Sequence, residues 1–398
     1  MNHISNRINQ LSESQTIAMS QRSAELKAQG KDIINLSVGQ PDFHTPDHIK
    51  EAAIQAINDN YTSYPPVPGY KDLRETIAQK LKRDNNLNYT FDQVIVSAGA
   101  KHSLANSILA IVNKDDEVIV PAPYWVSYVE QVKLAEGKNV VIPTLLENNF
   151  KITPEQLKES ITPKTKALIL CSPSNPTGSI YTREELEAIA QVIKDSGQEI
   201  YIISDEIYEY INFKGKHQSI AQVDFIKDQV IIINGVSKGY AMTGWRIGYI
   251  AAPLHIAKAC AKLQGQVTSA ACSIAQRASL EAISGDQGFT KEMTKAFKKR
   301  RDLLLEGLSK IEGIQKYTPE GAFYLFPDIT HFLGKSVNGK KINNDQDLCF
   351  YLLDDANVAL VPGSAFGSPN NIRLSYAASE DELKKAIERI KTSLEKLE

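Results

Sequence analysis

Between residues 47 and 283 the chain alternates short apolar runs with amphipathic stretches of helix length, and few architectures accept that pattern. Seven strand candidates stand at 94–96, 117–120, 140–143, 167–171, 200–204, 230–234 and 247–252, with helix-length segments such as 101–111, 124–134 and 183–193 between them. In the last of these, Leu186, Ile189, Ala190 and Ile193 share one face at the helical period. Such alternation predicts an α/β fold whose seven-stranded, mainly parallel sheet is covered on both faces. The texture changes after Gly285. A charged helix over 290–308 leads to strands at 323–326, 358–361 and 372–374, a helix over 345–353 and a closing helix over 380–397. That mixture predicts a smaller α+β domain. The expected organisation is an N-terminal arm at 1–46 forming part of the small domain, a large domain at 47–285 and a small domain at 286–398.

Charge narrows the partners. With 45 Lys and Arg against 47 Asp and Glu, the net charge of −2 gives no reason to expect nucleic acid or an anionic membrane. No apolar run approaches the ~20 residues that span a bilayer, and the N-terminus lacks the apolar core of a signal peptide. Cys171, Cys260, Cys272 and Cys349 are scattered, with no C-x-x-C pair, and predict buried thiols rather than a metal centre. A cytoplasmic enzyme without a metal is expected.

The stretch Ser237-Lys238-Gly239 through Arg246 carries the most chemistry. A lysine tucked behind an apolar strand loses its proton more easily, because burial disfavours the ammonium form. A neutral amine is what Schiff-base formation requires. Arg246 offers a planar fork to a phosphate, and the two together point to pyridoxal phosphate (PLP). The same stretch contains Gly235-Val236-Ser237-Lys238-Gly239, which fits the G-x-S-x-G elbow of serine hydrolases with Ser237 as nucleophile. That reading needs a helix after the elbow and a downstream histidine. Thr243-Gly244 interrupts any helix, and only His255 and His331 follow. A nicotinamide fold is disfavoured too, since no G-x-G-x-x-G follows an early strand.

Other segments supply partners for such a ligand. Residues 94–103 read as strand, tight turn and helix start, an arrangement whose free N–H groups suit an anion. Asn175 stands in a proline-stiffened loop at a strand end, and Asp205 at the end of a buried strand, where a carboxylate needs a partner. A protonated pyridine nitrogen would suit Asp205, and a phenolic oxygen would suit Tyr208. Trp125 could stack on a flat ring. Arg373, in an otherwise apolar strand, is placed for a carboxylate, and Gly39 lets backbone approach a ligand.

Together these pieces resemble the class I aminotransferases, the PLP-dependent fold-type I group typified by aspartate aminotransferase. The resemblance runs from Gly39-Gln40-Pro41-Asp42-Phe43 through Asn175-Pro176-Thr177-Gly178, Asp205-Glu206-Ile207-Tyr208 and Ser237-Lys238 to Arg373-Leu374-Ser375-Tyr376. It implies that Lys238 carries PLP as a Schiff base and moves the substrate's proton, and that Asp205 pairs with the ring nitrogen. Asn175 and Tyr208 would bond the phenolic oxygen, and Trp125 would stack on the ring. Ser237, Arg246 and the backbone at Ala100 and Lys101 would hold the phosphate. Tyr64 would reach the phosphate of a neighbouring subunit, which implies a homodimer with shared sites. Arg373 and Gly39 would take the substrate's α-carboxylate. The implied reaction is ping-pong transfer of an amino group from an L-amino acid to a 2-oxo acid. Lys101, Ser14 and Thr16 match the positions that read a distal carboxylate, so aspartate and 2-oxoglutarate are the expected substrates, with aromatic or prephenate-type acceptors the alternative.

Overall fold

The computed structural model describes residues 3–13 and 15–398, and of Thr16 the backbone alone. The central sheet contains β1 (Val94–Ser97), β2 (Glu117–Ala122), β3 (Lys138–Pro143), β4 (Thr165–Cys171), β5 (Tyr201–Asp205), β6 (Val230–Gly235) and β7 (Gly248–Ala251). Their spatial order is β1-β7-β6-β5-β4-β2-β3. Every pair is parallel except those of β7, which runs against both neighbours. The seven expected strands all form.

The isoleucine runs 202–203 and 231–233 explain the central position of β5 and β6, because strands covered on both faces need apolar residues without alternation. Ile119, Leu168, Ile202 and Ile232 pack one face against helices Asp47–Asn58, Lys71–Asn85, Arg183–Asp195 and Ser273–Ser284. Val118, Ile169, Ile203 and Ile233 pack the other face against Ala100–Ile111, Ser127–Leu134 and Leu254–Val267. The third large core joins Met19, Leu26, Ile34 and Leu36 of the N-terminal arm to residues of the C-terminal third and to Ile207, Tyr208 and Ile211.

Two expectations are corrected here. The helix expected over 124–134 starts at Ser127, because the Tyr124 N–H is taken by the carbonyl of Phe366, 3.0 Å away across the molecule. The single strand expected over 358–361 is two. Val358–Ala359 pairs with Ile34–Asn35, and the chain then changes partner so that Val361 lies opposite Arg373. That exchange ties the arm and strand Ile372–Ser375 into one unit and fixes Arg373 beside the ends of β4 and β5.

Candidate active site

Open α/β sheets gather ligands at the carboxyl ends of their strands. Cys171 and Asp205 end β4 and β5 side by side in register, and Ser237 and Lys238 follow β6 directly. A cavity of about 260 Å³ opens there, lined by Gly39, Ala100, Lys101, Trp125, Asn175, Asp205, Tyr208, Ser237, Lys238, Arg246 and Arg373 among others. Residues separated by more than 300 positions thus meet in one site. Among the described residues its cationic lining is Lys101, Lys238, Arg246 and Arg373 against the single carboxylate Asp205, an excess that favours a ligand carrying several negative charges.

Lys238 reaches across to donate to the carbonyl of Gly39. Burial, reinforced by the charges of Arg373 and Arg246, brings its ammonium down to about 8, against a smaller opposing pull from Asp205. Burial likewise pushes the Asp205 carboxyl up to about 6, although Tyr128 and the Ile207 N–H act to lower it. The Asp205 carboxylate accepts the Tyr128 hydroxyl at 2.7 Å and the Ile207 N–H at 3.2 Å, which hold it in one orientation. A buried acid of this kind is poised for a cationic donor such as a protonated ring nitrogen.

Arg373 is 1 % exposed, and no carboxylate among the described residues pairs with it. Its fork donates to Asn175 Oδ1 at 2.9 Å and to the carbonyl of Ser37 at 2.7 Å, while Nε has no partner. The rings of Tyr324 and Phe366 enclose the guanidinium at 4.5 and 4.9 Å. An unpaired buried cation is costly, and a carboxylate ligand supplies what it lacks.

The turn between β1 and helix Ala100–Ile111 is shaped by Gly99 at φ +88. A Cβ there would collide with Arg246 Nη2, so the absence of a side chain lets the guanidinium lie over the helix start. Arg246 spends one nitrogen on the carbonyl of Thr243 and remains largely exposed. First-turn residues Ala100 and Lys101, Ser237 and this fork line the same cavity, a donor set whose chemistry fits an anion such as a phosphate. Trp125 meets Tyr128 edge-on at 5.5 Å, and the Lys101 ammonium stands 5.0 Å from its ring centre. The residues present therefore fit PLP: an amine of lowered pKa, an acid for the ring nitrogen, an indole beside the ring and a cradle for the phosphate.

Tyr64 lies outside the cavity, 94 % exposed. Ser14 lies outside the described residues, as does the side chain of Thr16, although neighbouring Ile17 lines the cavity. Tyr128 and Tyr324 are site residues that the sequence reading missed. Both look like core aromatics along the chain, and only their hydroxyl partners, Asp205 and Tyr208, reveal them. The hydrolase alternative is corrected. Ser237 is followed by a turn and the short helix Thr243–Trp245, no histidine among the described residues lines the cavity, and His255 is engaged with Tyr201. Among the described residues Glu206, Glu209 and His217 cluster behind the strand ends, but the Lys80 ammonium already neutralises Glu209 and leaves an ionic network there.

Residues 31–390 match the family model described as aminotransferase class I and II. The chain is 48 % identical over 395 residues to an aspartate aminotransferase of Bacillus subtilis, with 99 % of each chain covered. It is 46 % identical over 394 residues to a probable aspartate/prephenate aminotransferase of Rhizobium leguminosarum, with 98 % of each covered. Among solved structures, the aspartate aminotransferase of Rhizobium meliloti superposes with a TM-score of 0.96 at 42 % identity over the whole of both chains. A near-complete match of sequence and fold places the chain in the class I and II aminotransferase family as a PLP-dependent aminotransferase of fold type I.

Proposed function

We propose that the enzyme moves the amino group of L-aspartate to 2-oxoglutarate by a ping-pong mechanism. The observation that carries this reading is the pairing of two cations in one cavity. Arg373 lies at the floor, and Lys101, with no carboxylate partner among the described residues, stands over Trp125. Two cations suit a substrate with two carboxylates, and the relatives named above bear aspartate in their names.

Bound PLP supplies an electron sink for the substrate's Cα. Arg373 and the backbone at Gly39 orient the α-carboxylate, which fixes the Cα–H bond relative to Lys238. Lys238 Nζ takes the Cα proton, a task its pKa of about 8 suits near neutral pH. Asp205, held by Tyr128, would keep a proton on the ring nitrogen. Asn175 and Tyr208 would donate to the phenolic oxygen, and Trp125 would stack on the ring. Ser237, Arg246 and the amides of Ala100 and Lys101 would hold the phosphate, while Lys101, Ser14 and Thr16 would read the distal carboxylate.

A larger acceptor is the second reading. A neighbouring cavity of about 620 Å³ shares Lys101, Val126 and Ser127 with the first, and offers room for a ring of the prephenate type. One panel tests the distal-carboxylate contact on which the first reading rests. Replacing Lys101 with serine should cut turnover of aspartate and 2-oxoglutarate by roughly 10- to 100-fold in kcat/KM, the range of one exposed-to-buried charge-assisted contact. Alanine turnover should change little. Unchanged aspartate turnover would overturn the dicarboxylate assignment.

The proposal includes a homodimer. Exposed Ile54, Ile57, Tyr64 and Val267 are supportive, as apolar side chains left in water on one chain, with Tyr64 reaching the partner's phosphate. Sedimentation as a monomer with full activity would sink it. We also propose a cytoplasmic location, in keeping with four free cysteines, and the three-part division at 1–46, 47–285 and 286–398, in keeping with the separate cores. No helix among the described residues is long and apolar enough to cross a membrane.

A further inference from the structure

Tyr324 sits where the carboxylate and cofactor ends of the cavity meet. It belongs to the short strand Tyr324–Leu325, which pairs with strand Ile372–Ser375 so that Ser375 lies opposite Tyr324. Its side chain is fully buried, and a buried hydroxyl must find a partner. That partner is the Tyr208 hydroxyl, 2.8 Å away. The Arg373 guanidinium lies over its ring at 4.5 Å. Gly39 approaches so closely that a Cβ there would be 3.2 Å from the Tyr324 oxygen. One phenol therefore touches the arginine, the glycine and the tyrosine to which separate roles are given above.

We propose that Tyr324 is a positioning residue that relays occupancy of the Arg373 carboxylate site to the hydrogen bond Tyr208 gives the cofactor's phenolic oxygen. The inference rests on the functional reading above, which assigns those two roles. Tyr208 has a single hydroxyl proton, so in the relay it gives that proton to the cofactor and Tyr324 supplies the proton of the 2.8 Å bond between the two phenols. Successive donors polarise one another, so a stronger Tyr324 donor makes Tyr208 a stronger donor in turn. Burial pushes the Tyr324 phenol up, and the Arg373 charge opposes this, improving the hydroxyl as a donor. When a substrate carboxylate neutralises Arg373, that help weakens. Tyr208 then donates less, and negative charge on the phenolic oxygen becomes less favourable. The remaining titratable and charged groups facing the pair are Lys238, 5.9 Å from the Tyr208 ring centre, and Cys171 at the end of β4. Asp205 lies on the same segment as Tyr208.

The test is a pH titration of the bound cofactor's visible absorption in the holoenzyme, with and without saturating succinate, an unreactive dicarboxylate. In the wild type, succinate should move the midpoint upward. In Tyr324→Phe the movement should fall to about half or less, and adding that change to Tyr208→Phe should have no further effect. Tyr208→Phe alone, which interrupts the same relay, must show the reduction even if Tyr324→Phe fails to hold the cofactor. A full succinate shift in either single variant overturns the relay, since a phenol that merely fills space leaves the titration unmoved. A wild-type protein that binds no PLP overturns the functional reading and the relay together.

Discussion

Replacing Lys238 with alanine is expected to abolish transamination, lowering kcat by at least about 10³-fold, within the range lost when a general acid–base group is removed. Two functions go with one amine: the covalent hold on the cofactor and the transfer of the Cα proton. The protein prepares this amine by burying it among Arg373, Arg246 and Lys101, which brings its pKa from 10.5 to about 8. A drop of that size raises the neutral fraction at pH 7 roughly 300-fold. The rate at which the cofactor-free protein captures PLP should accordingly rise with pH and level off above about 8. A capture rate that keeps climbing about tenfold per pH unit through pH 9 without levelling off would show that the amine is not tuned by its surroundings. Alanine removes no packing of consequence at the cavity wall, so the variant should stay folded and retain PLP non-covalently in the Arg246 and Ser237 cradle.

Replacing Arg373 with leucine is expected to lower kcat/KM by roughly 10²- to 10³-fold for amino donor and keto acid alike, the loss that follows truncation of one partner of a buried charge pair. Both half-reactions present an α-carboxylate to the same fork, so both must suffer. Leucine suits the apolar walls given by Tyr324 and Phe366, and it leaves Asn175 Oδ1 and the Ser37 carbonyl without a donor. Lysine at this position keeps the charge but not the bidentate geometry, and should recover only part of the loss. Stopped-flow measurement of each half-reaction checks this. A defect confined to the amino donor would contradict a shared carboxylate site.

The parts of this molecule written in local sequence could be read in advance. Strands β5 and β6 are built on the isoleucine runs 202–203 and 231–233, whose character does not depend on what packs against them, and Asp205 and Lys238 announce themselves as ionisable groups just past such runs. What could not be read depends on contacts between distant segments. The partner exchange after Ala359, which sets Val361 against Arg373, is invisible in a four-residue apolar run. Tyr128 and Tyr324 matter through hydroxyl bonds spanning 77 and 116 positions, and nothing in their neighbours distinguishes them from core filling. Tyr64 points into solvent on a single chain, so the role proposed for it could not be read from one chain's contacts.

The central claim is that the amine of Lys238 holds the cofactor. The protein should be incubated with PLP, reduced with borohydride, digested and mapped by mass spectrometry. A violet absorption that reduction abolishes, and a single phosphopyridoxyl group on Lys238, are the expected results. A protein that stays colourless, or that carries the label on another lysine such as Lys101 with Lys238 unmodified, would contradict it.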